Sequence, residues 1–185
     1  AVNANQEAVA LSPQDAEAHS NLGNTLAELG RSEEAEVSYT QAISLKPDYA
    51  EARNNLAIML QKLGRLEEAE ASYSQAIALK PDYAAAHYNL GNALKELGRL
   101  EEAEASYTQA IALKPDYAEA HNNLAITVKE LGRLDEAEAS YTQAITFKPN
   151  YAEAYNNLGN TLQELGRLDE AEASYRRAIA SKLDY

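Results

Sequence analysis

The side chains in this chain that could do chemistry recur at one fixed interval. His19, His87 and His121 fall at multiples of 34 residues. Imidazoles are metal ligands when they converge. Helices pack about 8–10 Å apart, whereas a shared zinc would need each nitrogen at about 2.0–2.1 Å, so His87 and His121 in adjacent units are poorly placed to hold one ion. Paired carboxylates such as Glu67 and Glu68 have no base or nucleophile beside them and read as charges at a helix start. There is no cysteine, no glycine-rich phosphate loop and no Ser-His-Asp arrangement. No metal, no cofactor and no enzymatic activity are expected.

Amides are the more promising groups. Asn21, Asn55, Asn89, Asn123 and Asn157 form one unbroken column. An amide side chain carries both donor and acceptor, so it can hold a peptide backbone whatever side chains the partner carries. The same amides could instead tie one helix to the next. Three residues on, the column alternates as Asn24, Ile58, Asn92, Ile126 and Asn160, which offers polar and apolar stations in turn or reflects a duplicated two-unit block. Tyr88 adds an aromatic contact, and Lys95 and Lys129 are the main positive charges expected on this side.

Such columns need a scaffold that repeats. Pro13, Pro47, Pro81, Pro115 and Pro149 are 34 residues apart, as are Gly30, Gly64, Gly98, Gly132 and Gly166. Five units follow, at 14–47, 48–81, 82–115, 116–149 and 150–183, with residues 1–13 as the end of an earlier unit's second helix. Both edges, at Ala1 and Tyr185, look cut from a longer array. Within a unit the apolar spacing is helical: Ala52, Leu56, Leu60 and Leu63 share one face, and Ala69, Tyr73, Ala76 and Ile77 another. Asp48 with Glu51 reads as a capping box, and Gly64 as a left-handed helix end. "LEEAE" supplies first-turn carboxylates. Each unit is then a helical hairpin. Alanine columns at Ala35 and Ala42 and their equivalents permit close stacking, Tyr39 and its equivalents fill the space between, and Leu29 and Leu63 close the turns.

The pattern "NLGN…LGR…EEA…SY…AI…KP" resembles the tetratricopeptide repeat (TPR) family over almost the whole chain. Its wording is similar to long bacterial TPR arrays and to the TPR arm of O-linked N-acetylglucosamine transferases. The resemblance implies an all-α, right-handed superhelical solenoid whose first helices line a concave peptide-holding groove, with the asparagine column as its ladder. Two departures stand out. The column where the family often has a large aromatic reads His19, Arg53, His87, His121 and Tyr155, and Leu183 replaces the last unit's proline, so that helix can run on. Some TPR domains clamp the terminal carboxylates of chaperones; one clamp lysine position here holds Glu or Ala85, which disfavours that ligand.

The formal charge of −13 disfavours nucleic acid and anionic membrane, and no apolar run reaches the roughly 20 residues that span a bilayer. The expectation is a cytoplasmic protein-interaction module that holds a partner segment. The alternatives are the recruiting arm of a larger enzyme and a purely structural array. The apolar columns left at the two ends, around Ala171, Tyr175 and Ile179 and along His19 to Leu29, suggest weak head-to-tail self-association.

Overall fold

A computed structural model describes residues 2–183, so the edges at Ala1 and Tyr185 lie outside the described residues. It is all-helical among those residues. The helices are α1 (Val2–Leu11), α2 (Ala16–Glu28), α3 (Ser32–Leu45), α4 (Ala50–Lys62), α5 (Leu66–Leu79), α6 (Ala84–Glu96), α7 (Leu100–Leu113), α8 (Ala118–Glu130), α9 (Leu134–Phe147), α10 (Ala152–Glu164) and α11 (Leu168–Leu183). The last helix continues to Leu183, where the proline of the earlier units is missing.

Two compact units divide the chain, Ala1–Ala93 and Leu94–Tyr185. In the first, α1 lies on α2, α2 pairs with α3, α3 with α4, and α4 with α5. In the second, α7 packs on α8, α8 pairs with α9, α9 with α10, and α10 with α11. Each unit is thus a stack of antiparallel hairpins in which these successive helices touch, the arrangement of a solenoid.

The alanine columns do what their size predicts. Ala35, Ala69, Ala103 and Ala137 are wholly inaccessible, as are Ala42, Ala76, Ala110 and Ala144. With a methyl group at these positions the helix backbones approach closely, and the tyrosine of the same helix fills the remaining space. Tyr39 and Tyr73 complete the first unit's core with Leu26, Met59, Ala57 and Leu60. Tyr141 does so in the second, with Ala125, Val128 and Ala154. Leu29 does not close its turn: it is 58% exposed. At the far end Ala171 is buried inside its hairpin, Tyr175 is half-buried and Ile179 is 61% exposed.

Helix ends follow two rules. Gly64 takes a φ of +75°, and the amides of Gly64 and Arg65 reach back to the carbonyls of Gln61 and Leu60 at 2.9 Å each. That is a Schellman ending, and the other four turn glycines repeat its positive φ. The start differs from the capping box. Pro47 and Asp48 form a turn that the Tyr49 amide closes on the Lys46 carbonyl at 3.1 Å, so Asp48 is consumed in the turn. The N-cap is Tyr49, without a side-chain cap bond, and Glu51 is engaged elsewhere. In α2 Asp15 stands in the tyrosine's column and is an acidic cap: its carboxylate accepts from the amides of Glu17 and Ala18 at 2.9 and 3.3 Å.

Candidate functional site

The polar face of the first helices carries the asparagine column. In the first unit α2, α4 and α6 present Asn21, Asn55 and Asn89. Asn55 Nδ2 donates to Asn24 Oδ1 at 3.0 Å, and Asn89 Nδ2 donates to Asn54 Oδ1 at 3.1 Å. The amides therefore do tie one first helix to the preceding one. Each still has capacity to spare. Asn55 uses one of two N–H groups and accepts once, from Asn54 Nδ2 at 3.3 Å. Asn89 uses a single N–H. An amide so held is fixed in orientation with a donor and an acceptor left over. Asn21 is exposed, and Asn5 of α1 donates to its backbone carbonyl at 3.2 Å.

In the second unit Asn123 accepts from Asn122 Nδ2 at 3.3 Å, while Asn157 makes no side-chain hydrogen bond among the described residues. Asn122 is fully buried, and its Oδ1 has no partner among the described residues. Its first-unit equivalent, Asn54, accepts from Asn89; the matching rung to Asn157 is not formed. Tyr88 is half-buried in the first unit, and Lys95 half-buried in the second. Lys129 is not the open charge its position suggests, because Nζ pairs with Glu164 at 2.8 Å.

The alternating column has a packing cause. The Tyr39 hydroxyl donates to Asn24 at 2.8 Å, and Tyr175 to Asn160 at 2.8 Å. Both rings lie against a glycine: a Cβ on Gly23 would meet Tyr39 at 2.7 Å, and one on Gly159 would meet Tyr175 at 2.5 Å. In α4 the glycine is Ala57 and the asparagine is Ile58, and there Tyr73 donates to Gln61 at 3.0 Å, a bond that Tyr175 also makes with the equivalent Gln163 at 3.1 Å. Gly-Asn and Ala-Ile are two ways of seating one tyrosine. Burial, then the nearby Glu28 charge, pushes the Tyr39 hydroxyl up to about 12. Burial raises Tyr141 likewise.

Between α2 and α4 this face opens into a cleft of about 270 Å³ walled by Asn24, Ala27, Tyr39, Asn55, Ile58 and Met59. Glu28 and Lys62 stand at its mouth. Both are exposed and neither forms an ion pair among the described residues. Sequence reasoning named Asn24 and Asn55 but missed Tyr39, Met59 and Lys62 as their neighbours. The pairing of Gly23 with Asn24 was the available signal.

The histidine column serves the backbone. Nε2 of His19, His87 and His121 lies 3.0, 3.1 and 2.9 Å from the carbonyls of Pro13, Pro81 and Pro115. A carbonyl only accepts, so each Nε2 carries a proton. Arg53 does the same with Nη2 on Pro47 at 3.0 Å. On the second helices, the turn arginines form clasps. Arg65 binds Glu68 at 2.7 Å and reaches back to Glu36 at 2.8 Å, and Arg133 and Arg167 repeat this with Glu136 and Glu104, and Glu170 and Glu138. These bonds hold the Glu68, Glu136 and Glu170 carboxyls below their ordinary value. Lys80 does so for Glu51 at 2.9 Å, and Lys148 for Glu119 at 2.9 Å.

No curated protein matches the chain. Among solved structures it is similar to MamA, at 25% identity over 88% of this chain and 95% of that one, with a TM-score of 0.82. It is similar to YrrB, described as a TPR protein with an unusual peptide-binding site, at 23% identity over 100% and 95% of the two chains, with a TM-score of 0.79. A thermophilic TPR protein of Thermus thermophilus matches at 29% identity over 90% and 91%, with a TM-score of 0.69. A family model described as TPR repeat matches residues 23–64, 59–98, 91–132 and 128–166, and two described as tetratricopeptide repeat match 152–181 and 4–37. These matches cover most of the hairpins described above, and the chain belongs to the tetratricopeptide repeat family.

Proposed function

We propose that this chain is a protein-interaction module that holds an extended partner segment along its first helices. One observation carries the reading: Asn55 and Asn89 are each oriented by a bond to the preceding helix and keep a donor and an acceptor unspent. A preorganised amide loses little entropy on binding, and a donor–acceptor pair matches a peptide group without regard to side chain. Structural tie and peptide holding are then compatible uses of the same residue. The peptide-binding site named for YrrB supports a ligand of this kind. Asn123, Asn157 and Asn160 give the second unit a candidate surface of its own, with the half-buried Lys95 as a charge there. Tyr88 adds contact area in the first unit.

The test is a triple substitution, Asn55→Ala, Asn89→Ala and Asn123→Ala, assayed by capture of partners from a lysate and by circular dichroism. Each net hydrogen bond is worth about 0.5–1.5 kcal/mol, so partner binding should fall at least several-fold with helicity retained. Loss of the helical signal would assign the column to structure. Unchanged capture would remove it from the binding surface.

A further inference from the structure

Resting on that reading, we infer that the α2–α4 cleft is a side-chain subsite that selects an aliphatic residue flanked by Lys or Arg. The argument starts at Asn24. Its Oδ1 accepts from both the Tyr39 hydroxyl, at 2.8 Å, and Asn55 Nδ2, at 3.0 Å. An amide oxygen has two lone pairs, so this acceptor is saturated. The Asn24 Nδ2 has no partner among the described residues, and the side chain is exposed. Two N–H groups therefore face outward in an orientation the tyrosine imposes, joined by the second N–H of Asn55. This part of the surface seeks carbonyl oxygens.

Beside those donors the accessible wall is apolar at Ala27 and Ile58, with Met59 buried in the core beneath them. A volume of about 270 Å³ lies below the roughly 300–1,000 Å³ of whole small-molecule sites. It suits one residue of a longer chain. A main-chain carbonyl next to a branched aliphatic side chain satisfies both walls at once. The flanks are decided by charge. The protein carries −13 overall, and such a field draws cationic segments and repels anionic ones. At the mouth, Glu28 is an unpaired carboxylate on the α2 side, which places a cationic flank there, away from Lys62 on α4.

The test uses three labelled probes against the full chain: acetyl-Lys-Gly-Leu-Gly-Lys-amide, the same peptide with Gly for Leu, and the same peptide with Glu for both Lys. Anisotropy titrations at low salt read the affinities. Burying most of a leucine side chain predicts roughly tenfold tighter binding of the first probe than the second. The third binds more weakly than the first, by a margin that shrinks in high salt. Ile58→Asn abolishes the leucine preference. Asparagine already occupies the equivalent positions Asn24 and Asn92, so the fold accepts it, and a thermal melt checks that. Asn24→Ala weakens the first two probes alike, by several-fold.

Equal affinity for the leucine and glycine probes, with binding still sensitive to Asn55→Ala, would overturn the subsite and leave the peptide-holding reading standing. A leucine preference that survives Ile58→Asn would overturn it too. Absence of binding by every probe up to millimolar concentration would overturn both.

Discussion

Replacing Gly23 with alanine separates the two tyrosine seats. The added Cβ would lie 2.7 Å from one ring carbon of Tyr39 and 2.8 Å from another, so the buried ring must move by about 0.7 Å to reach an ordinary contact near 3.4 Å. Overpacking of this kind costs about 1–3 kcal/mol. The shift also pulls the Tyr39 hydroxyl off Asn24, a loss of about 0.5–1.5 kcal/mol. Alanine returns about 1 kcal/mol through helix propensity. The net expectation is a loss of about 2 kcal/mol, or roughly 4–8 °C in melting midpoint for a chain of this size. In α4, where Ala57 replaces the glycine, Gln61 accepts the Tyr73 hydroxyl. The equivalent residue in α2 is Ala27, which cannot. Adding Ala27→Gln to Gly23→Ala should therefore recover part of the loss, and Ala27→Gln alone should not stabilise. Thermal and urea unfolding followed by circular dichroism read all three variants. A Gly23→Ala protein as stable as the parent would refute the reasoning.

Other expectations concern charge, backbone and array length. The depressed carboxyls Glu51, Glu68, Glu119, Glu136 and Glu170 favour the folded state only when ionised. Their contribution is present above the ordinary value of 4.5 and is lost as pH falls through their lower folded values. The melting midpoint should hold from pH 7 to 5 and drop below about 4.5, less steeply in high salt; a flat profile down to pH 3 would contradict this. Gly64→Ala should cost about 1–2 kcal/mol from backbone strain alone, because nothing lies within 4 Å of the added Cβ at that φ of +75°. Gly64→Asn should be milder in the same unfolding assay, and equal costs would point to a steric cause. A chain ending at Pro149 should remain helical with a lower midpoint, since stability in such arrays adds up from units and interfaces; complete loss of helicity would oppose a stacked-hairpin fold.

What the sequence made legible was whatever recurs for a local reason. Gly64 and its equivalents announce helix ends because few residues adopt a positive φ, and the alanine and tyrosine columns announce the core because their helical spacing repeats. The first-helix start was misread, since Asp48 has the chemistry of a cap but Pro47 draws it into the preceding turn. The arginine clasps were missed for another reason. Arg65 and Glu36 are 29 residues apart, and only the stacking of second helices makes that separation a contact. Lys129 looked open for the same reason, its partner Glu164 lying in the next first helix. The asparagines were posed as either ligand-holding or structural; the bonds of Asn55 and Asn89 are the structural half, with capacity remaining for the other. The alternation of Asn24 and Ile58 is accounted for by how the tyrosines seat.

The central claim is that ligand meets the first-helix amides. Side-chain NH₂ resonances of the asparagines, assigned in ¹⁵N-labelled protein and followed during titration with acetyl-Lys-Gly-Leu-Gly-Lys-amide, test it most directly. The account predicts saturable shifts at Asn24, Asn55 and Asn89, with amides of α3 and α5 on the opposite face unmoved. Shifts centred on the second helices, or none at the asparagines while binding is seen by anisotropy, would contradict it.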